Sequence, residues 1–346
     1  NNIFGILVST GTVNSSVTRN NVTNLEASNA GGYGATGINV TTGAAASNIT
    51  VANNFVSDIR GTSFTTTALN DTVVGIRIAG ANTGGVNIYY NSVNLFGNYA
   101  GFNGATVTAA FMVNATTPTA LNVRDNIFVN TFNNTTVTTD KNYAIYTTSA
   151  NTMFSNINYN DYFVDGAQGV LGAINSTDAT DLTMLQTATG QDANSVSVDP
   201  LFTSPTDLHL TAASPVQNIG TPIPGIFNDF DDNLRSATTP DLGADELVAP
   251  SAASVSLGGR ILTADGRGIR NVLVTLTESN GTSRTVISGP FGNYRFTNVA
   301  PGQAVIISAK GKRYVFEDPT RVIQVNEELT EINFVSVQLP VTKDDQ

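Results

Sequence analysis

The 346-residue sequence predicts an all-β protein, in which a parallel β-solenoid is followed by a β-sandwich. Two series of short segments recur with a period of about 35 residues through roughly the first half of the chain. These segments alternate apolar and polar residues, which is the period of a strand and not the helical period of about 3.6 residues. The balance of charge then changes near residue 248, which indicates a domain boundary.

The first series is centred on an asparagine, as in ITVANNFVSDI and LNVRDNIFVNTF. Successive asparagines of the series keep nearly the same spacing along the chain. Asparagine tolerates the left-handed conformation of a sharp corner, and stacked Asn side chains can hydrogen-bond from coil to coil. The spacing predicts a structural ladder, with no catalytic role, made of Asn21, Asn54, Asn91, Asn126 and Asn160.

The second series lies between these asparagines and keeps nearly the same period. Its segments are TGINV, VGIRI, AAFMV and YAIYT, and they are joined by turn-forming stretches such as GGYGATG and GANTGG. Several strands in each repeat, with no helix between them, favour a coil that stacks on itself. The central residues of the four segments are Ile38, Ile76, Phe111 and Ile145.

Composition limits the classes of function. The net charge of −11 argues against a nucleic-acid partner, and the absence of cysteine excludes disulfides and thiolate metal sites. Residues 1–248 hold 18 acidic and 6 basic residues, whereas residues 249–346 hold 9 and 10. No apolar run reaches the roughly 18 residues of a membrane span, so none is predicted.

Four motifs follow the repeats: DPLF at 199–202, LTAASP at 210–215, DFDDNLR at 229–235 and DLGADE at 241–246. Their order resembles the right-handed parallel β-helix proteins of bacterial surfaces, which share the pectate-lyase-like superfold. The resemblance covers about residues 1–248. It implies a right-handed coil, a C-terminal capping segment at about 195–248, and a secreted, extracellular or cell-surface location. Such proteins include polysaccharide lyases and hydrolases as well as non-enzymatic surface proteins, so the fold does not decide the function.

The second domain is predicted over residues 255–340, after a linker at 249–254 and before a tail at 341–346. Its short strands are separated by turns every 8 to 12 residues or so, which is typical of a β-sandwich. The stretches GRILTADGRGIRNVLVTL and GPFGNYRFTNVAPG resemble the carboxypeptidase regulatory-like (transthyretin-like) domain. That resemblance implies an Ig-like accessory spacer or binding module.

We predict no catalytic residues. The only histidine, His209, lies within the motif region and is assigned a structural role. Asp125 and Asp161 flank the ladder and remain the alternative for a carboxylate pair in a cleft. The acidic hexapeptide NDFDDN is interpreted as a turn in which Arg235 pairs with an aspartate, and the alternative is a calcium site. No other cofactor is predicted, and the calcium ligands would be Asp229, Asp231 and Asp232.

The first residues, NNIFGILV, resemble the repeat itself. Residues 2–4 match 126–128, and residues 5–6 match 37–38. This predicts that these residues belong to a coil of the solenoid, and that the unpaired strand edge of this coil accepts the sandwich domain or tail of another copy. The alternative is a longer parent protein with earlier coils. The predicted self-assembly residues are Asn2, Ile3, Phe4, Ile6 and Val8.

Three functions are considered, and the sequence favours the first. The first is a structural surface protein, such as a stalk, an adhesin or a filament subunit that associates head to tail. The second is a polysaccharide lyase or glycoside hydrolase. The third is a surface-glycan-binding protein that uses a strip of aromatic side chains. The candidates for that strip are Tyr89, Tyr90, Tyr99, Tyr143, Tyr146, Tyr159 and Tyr162.

Overall fold

The structure is a computed structural model that describes residues 3–28, 32–61, 68–99, 106–247, 254–279, 281–325 and 327–337. The chain forms two compact units, residues 1–248 and 249–346. The predicted all-β class is confirmed, because strands make up nearly all the regular structure of the described residues. In these ranges, none of the helical segments has the length and apolar composition of a membrane span.

The first unit is built from coils of short strands. The first two coils contain β1 (Ile3–Val8), β2 (Ser15–Thr18), β3 (Asn21–Val22), β4 (Leu25–Ala27), β5 (Ala35–Val40), β6 (Ile49–Ala52), β7 (Phe55–Ser57) and β8 (Ile59–Gly61). The next three contain β9 (Val74–Ile78), β10 (Val86–Tyr89), β11 (Ser92–Tyr99), β12 (Val107–Val113), β13 (Leu121–Arg124), β14 (Ile127–Asn134), β15 (Lys141–Thr147), β16 (Phe154–Asn158) and β17 (Asp161–Val164). The unit then adds β18 (Gly169–Ile174), β19 (Thr177–Ala179) and α1 (Leu182–Thr189).

Equivalent strands of successive coils pair in parallel and form three sheets. The first sheet has the order β1-β5-β9-β12-β15-β18-β19, the second β2-β6-β10-β13-β16, and the third β3-β7-β11-β14-β17. The exception to parallel pairing is β19, which is antiparallel to β18. Strands β4 and β8 form a separate short pair. This stacking confirms the predicted solenoid. Its core is apolar, because the inward residues of each strand lie above those of the preceding coil.

The register of the first sheet follows the second sequence series. Ile38 pairs with Ile76, and the column continues through Phe111 to Ile145. Ile6 of β1 pairs with Ile38, so residues 5–6 were aligned correctly with 37–38. The other alignment was wrong in its described part: residues 3–4 do not correspond to 127–128, because β1 belongs to the first sheet and β14 to the third.

A close approach between sheets explains the glycine in TGINV. A Cβ atom added to Gly37 would lie 2.5 Å from Cγ1 of Val56, on the third sheet, and 2.7 Å from the carbonyl oxygen of Gly75. Neither distance leaves room for a side chain, so the first and third sheets pack closely only because Gly37 has none.

A short helix and hairpin follow the last coil. The carboxylate of Asp181 caps α1 by accepting from the amide of Met184, and Gly190 ends it with a φ of 68°. Leu185 is fully buried in the solenoid core. The sequence pattern does not predict this helix, because so short a segment shows no helical period; Asp181 and Gly190 are its only signals in the sequence.

The second unit consists of two small sheets over a separate core. Its strands are β20 (Val255–Leu262), β21 (Leu273–Thr277), β22 (Ser283–Ile287), β23 (Asn293–Val299), β24 (Ala304–Lys310), β25 (Thr320–Gln324) and β26 (Phe334–Val335). One sheet has the order β23-β20-β26 and the other β22-β21-β24-β25. Leu257, Phe296 and Phe334 are among the core residues, each at most 2% exposed. The predicted linker at 249–254 lies, except for Ser254, outside the described residues, as does the tail at 341–346.

The asparagine ladder lies at the corner between the second and third sheets. In each step, the backbone amide and the Nδ2 group of one Asn donate to Oδ1 of the Asn in the next coil. The side-chain steps measure 2.9 Å from Asn54 to Asn91, 2.9 Å from Asn91 to Asn126 and 3.0 Å from Asn126 to Asn160. These four side chains are fully buried. Each therefore satisfies buried backbone groups that water cannot reach.

The first rung is Asn20, and the assignment to Asn21 was wrong by one residue. Asn20 donates its Nδ2 group to Oδ1 of Asn54 at 2.9 Å, whereas Asn21 is an exposed residue of β3 that pairs with Phe55. The left-handed conformation was also assigned to the wrong position. It belongs to the residue before each rung, and the corner residues are Arg19, Asn53, Tyr90, Asp125 and Tyr159.

Replacing a buried rung should destabilise the solenoid far more than replacing an exposed Asn–Asn contact. Asn91→Ala removes five hydrogen bonds made by a fully buried amide, so we expect a loss of about 3–5 kcal/mol in the free energy of unfolding. The matched control is Asn133→Ala, which removes an exposed 3.0 Å contact to Asn98 and should cost less than about 0.5 kcal/mol. Urea unfolding measures both, and similar losses in the two variants would contradict the buried-ladder account.

Candidate functional site

The motif region does not form a further full coil: Val196 makes one parallel bridge to Asp161 of β17, and the chain then leaves the stack. Residues 195–247, here called the strap, run back along the corner that carries the ladder. The predicted capping segment therefore covers the flank of the coils. Its hydrogen bonds and ion pairs progress from the fifth coil to the first: Val198 to Asp161, Thr221 to Asp125, Thr221 to Tyr90, Asn228 to Asn53, and Asp232 to Arg19.

Asp125 and Asp161 fasten the strap and do not form a cleft. Oδ1 of Asp125 accepts from the amide of Thr221 at 2.7 Å, and Oδ1 of Asp161 accepts from the amide of Val198 at 3.0 Å. Both carboxyl groups are fully buried. Burial raises the pKa of Asp125 to about 7 and raises the pKa of Asp161 well above its usual value. The alternative of a solvent-facing carboxylate pair therefore does not fit these two residues.

The carboxylates of the last motif bind backbone amides within the strap. Asp241 accepts from Asn218 at 2.7 Å and from Leu247 at 2.8 Å, and Glu246 accepts from Ser236 at 2.8 Å. These bonds hold the irregular chain where no sheet partner exists.

The glycine of DLGADE permits close contact between the strap and the coils. Gly243 has a φ of 83°, and an added Cβ would lie 2.5 Å from Oγ of Ser92. A residue with a side chain would be strained and would also clash there. The neighbouring amide of Ala244 donates to the same Ser92 oxygen at 2.9 Å.

Arg235 is a buried cation that joins the strap to two coils. Its guanidinium lies 4.0 Å from the ring centroid of Tyr90 and donates to Oδ1 of Asn53 at 2.9 Å. Its ion-pair partner is Glu246, at 3.3 Å, and not an aspartate as the sequence analysis supposed. Because the Arg235 side chain is only 2% exposed, the pair is structural.

The three predicted calcium ligands point to different partners. Asp229 is fully buried and accepts from the amides of Asn233 and Glu246 at 2.8 and 3.0 Å. Asp231 lies 2.7 Å from Nε2 of His209, and Asp232 forms an exposed ion pair with Arg19. Among the described residues, the structure therefore does not bring these three carboxylates together as one ligand set.

One of these aspartates belongs to a different cluster. One ring nitrogen of His209 and one carboxylate oxygen from each of Asp231 and Asp245 lie within 4.8 Å of one another. Nδ1 of His209 is in hydrogen-bond contact with Asp207. Burial lowers the pKa of His209, but the bonds to Asp207 and Asp231 outweigh it, so the net effect raises the pKa. From the sequence, His209 is predicted to be structural, and its association with Asp231 and Asp245 is not predictable because both lie far from it along the chain.

The proposed aromatic strip does not form an exposed surface. Tyr90 and Tyr162 are fully buried, and Tyr143, Tyr146 and Tyr89 are at most 9% exposed. Tyr99 and Tyr159 are half-buried. Stacked sugars could not reach most of these rings.

A groove of about 760 Å³ lies on the outward side of the second sheet, beside the strap. Thr50, Asn87 and Arg124 line its floor, and Phe227 of the strap forms part of its rim. Phe227 is 66% exposed. The groove therefore combines polar side chains with one accessible aromatic ring.

The predicted self-assembly residues lie on β1 as far as they are described. Val8 is in the core, while Ile3 and Ile6 are half-buried against it. Phe4 faces outward, and the guanidinium of Arg77 lies 5.6 Å from its ring centroid. Asn2 lies outside the described residues.

Comparison with known proteins identifies the second unit. Residues 256–335 match the family model of the carboxypeptidase regulatory-like domain, so the predicted C-terminal domain is confirmed. No curated protein matches the chain.

Two solved structures match only small parts of the chain. The Bacillus anthracis TIE protein has 16% identity and a TM-score of 0.21, with 24% of this chain and 17% of that chain covered. A C-terminal fragment of the pilus adhesin SpaC from Lactobacillus rhamnosus GG has 15% identity and a TM-score of 0.22, with 29% and 51% covered. The chain thus spans about half of the SpaC fragment and about a sixth of the TIE protein.

The buried carboxyl group of Asp125 should make stability depend on pH. Its pKa of about 7 in the folded protein exceeds the ordinary value of 3.8, so the folded state binds more protons. The stabilisation that comes from this protonated carboxyl group is fully present below about pH 4 and is lost as the pH rises through 7. Over that range the free energy of unfolding falls by up to about 1.4 kcal/mol per pH unit. Asp125→Asn keeps an oxygen for Thr221 but does not titrate, so the free energy of unfolding should fall less between pH 4 and pH 8.

Asp165→Asn, which changes an exposed carboxylate, is the control and should retain the original pH dependence. Chemical unfolding at a series of pH values measures all three proteins. An unchanged pH slope in Asp125→Asn would exclude Asp125 as its source.

Proposed function

We propose that this chain is a non-enzymatic, extracellular structural protein of the cell surface, in which the solenoid is a stiff spacer or adhesive stalk. The observation that carries the proposal is the strap. A single segment bonds to all five coils, from Asp161 in the fifth to Arg19 in the first. Bending or opening the solenoid would break several of these contacts together, and a spacer benefits from that resistance.

The use of the acidic residues supports a structural role. Asp125, Asp161 and Asp241 are buried carboxyl groups that bind backbone amides, and Glu246 pairs with buried Arg235. The fold class includes lyases and hydrolases, which need carboxylates accessible to a sugar. The carboxylates that first suggested such chemistry hold the chain together instead.

We further propose that the solenoid associates head to tail through its first coil. Within the described residues, β1, β2 and β3 each have one neighbouring strand in their sheet. Their other edges can pair with a parallel coil, which would also cover half-buried Ile6. In a polymer, the sandwich domain of a second copy would cover these edges, because the last coil is itself covered by β19 and α1. In a longer polypeptide, an earlier coil would fill the same place.

Substitutions on the two faces of β1 test this association. Ile6 faces the core, whereas Leu7 faces outward and is 49% exposed. We expect the purified chain to form larger species as its concentration rises. Ile6→Lys should reduce the apparent affinity of self-association at least tenfold, whereas Leu7→Lys should leave that affinity unchanged within about threefold. A charge placed over the core prevents another chain from packing there.

Light scattering coupled to size exclusion measures the mass of each species, and electron microscopy identifies filaments. Thermal unfolding of both variants shows whether they remain folded. A monomer at high micromolar concentration in the unmodified chain would contradict self-association whatever the variants do. Equal effects of the two substitutions would contradict the proposed interface.

A second candidate function is binding of a surface polysaccharide in the groove beside the strap. The exposed ring of Phe227 can stack on a sugar, and Asn87 and Arg124 can hydrogen-bond its hydroxyl groups. This candidate replaces the tyrosine strip, which is mostly buried.

A pair of exposed phenylalanines tests glycan binding. Phe227→Ala should reduce affinity for a polysaccharide at least tenfold, because stacking of the aromatic ring on the sugar is lost. Phe291→Ala removes a ring that is 73% exposed on the second unit and should have no effect. Glycan-array screening followed by titration measures both. Absence of any bound glycan, or equal binding by the two variants, would exclude this groove as the binding site.

A further inference from the structure

We propose that His209, Asp231 and Asp245 bind a divalent transition-metal cation, and that zinc fits this set best. One ring nitrogen and two carboxylate oxygens lie within 4.8 Å of one another. Imidazole nitrogen combined with carboxylate oxygen suits zinc and related ions, whereas calcium takes oxygen ligands. The set differs from the predicted calcium site, with which it shares only Asp231.

The orientation of the imidazole supports metal binding. Asp207 contacts Nδ1, while Asp231 lies 2.7 Å from Nε2. A carboxylate on one ring nitrogen commonly fixes the tautomer that presents the other nitrogen to a metal. Asp207 would therefore be a positioning residue, and Nε2 of His209 would be the ligand.

Aromatic packing and backbone bonds also fix the ring in place. The ring of Phe55, from the second coil, meets the imidazole edge-on at 4.9 Å between centroids, and Phe230 stacks on Phe55 at 4.2 Å. The carbonyl of His209 accepts from the amide of Thr203 at 2.8 Å. A ring held on several sides loses little entropy when it binds an ion.

The carboxylates bring excess negative charge. Three of them, from Asp207, Asp231 and Asp245, surround one imidazole, and Asp245 is only 5% exposed. His209 is the only ion-pair partner that Asp207 and Asp231 have among the described residues. A divalent cation would balance this charge better than the single charge of a protonated imidazole.

Small movements would complete the coordination. Two ligands of a tetrahedral zinc ion lie about 3.3 Å apart, because each is about 2.0–2.1 Å from the metal. Nε2 of His209 and Oδ2 of Asp231 would separate slightly from their present 2.7 Å, as the ion replaces a proton between them. The carboxylate of Asp231 is 43% exposed, so it can make this adjustment while the imidazole stays in place, and solvent can provide the fourth ligand.

The site would join distant parts of the strap. His209, Asp231 and Asp245 belong to three segments of the strap that are well separated in the sequence. Phe55 of β7 forms the adjacent wall. A bound ion would thus cross-link three segments of the strap against the second coil and would stabilise the folded chain by mass action.

The single histidine provides a specific test. The full chain is prepared without a polyhistidine tag, treated with a chelator, and labelled with ¹⁵N. Long-range ¹H–¹⁵N spectra then report one imidazole. We expect one equivalent of Zn²⁺ to shift Nε2 of His209, and Ca²⁺ at the same concentration to leave it unchanged.

Calorimetric titration with Zn²⁺ compares the variants. Asp231→Asn should weaken binding at least tenfold, and Asp207→Asn should weaken it by about 10–100-fold through loss of ring orientation. Asp232→Asn, which alters the adjacent exposed carboxylate bound to Arg19, is the matched control and should bind normally. Because Asp231 is exposed, we expect Asp231→Asn to remain folded, and thermal unfolding tests this.

Two results would overturn the proposal. One is an imidazole spectrum that does not change with Zn²⁺ up to millimolar concentration. The other is a shift that persists with equal affinity in Asp231→Asn and Asp245→Asn, since that would indicate binding by an isolated surface histidine. A chelator-sensitive rise in the unfolding temperature with Zn²⁺, lost in His209→Ala, would support the cross-link.

Discussion

The rest of the first unit depends on one requirement: the buried amides at the corner between the second and third sheets must be hydrogen-bonded. At this corner a residue with positive φ, such as Tyr90 or Asp125, turns the chain out of one sheet and into the next. The backbone amide of the residue that follows donates to a side chain of the next coil, as the amide of Asn91 donates to Oδ1 of Asn126. Each coil therefore depends on its neighbour, which is how a solenoid becomes cooperative.

The strap extends the same network. The amide of Asn160, the last rung, donates to Oγ of Ser195, the first residue of the strap, at 2.9 Å. Ser195 in turn donates to Asp192, a buried group whose pKa is raised to about 6, chiefly by burial. The strap then returns along the ladder corner, so the segment that ends the ladder also shields it from water. Burial of the corner and attachment of the strap are consequently one structural feature.

The sequence contained the period and the strands, but it left the exact register and the side-chain partners open. The column of Ile38 and Ile76 was predictable because apolar residues recur at one position of every coil. The choice between Asn20 and Asn21 was not, since either asparagine fits the pattern and only strand pairing separates them. The path of the strap was also hidden, because it lacks regular strands and its contacts with Asp125 join positions far apart in the sequence.

The raised pKa values of the solenoid have a structural cause, and this bears on its function. A carboxyl group with a perturbed pKa in a cleft commonly marks an acid–base catalyst. Asp125 and Asp161 carry such perturbations, yet both lie beneath the strap with no exposed surface and bind amides of the strap itself. A sugar could reach them only if the strap detached, which would uncover the ladder corner and expose Arg235 as well. Substrate access and stability would then oppose each other, and the contacts along all five coils favour stability.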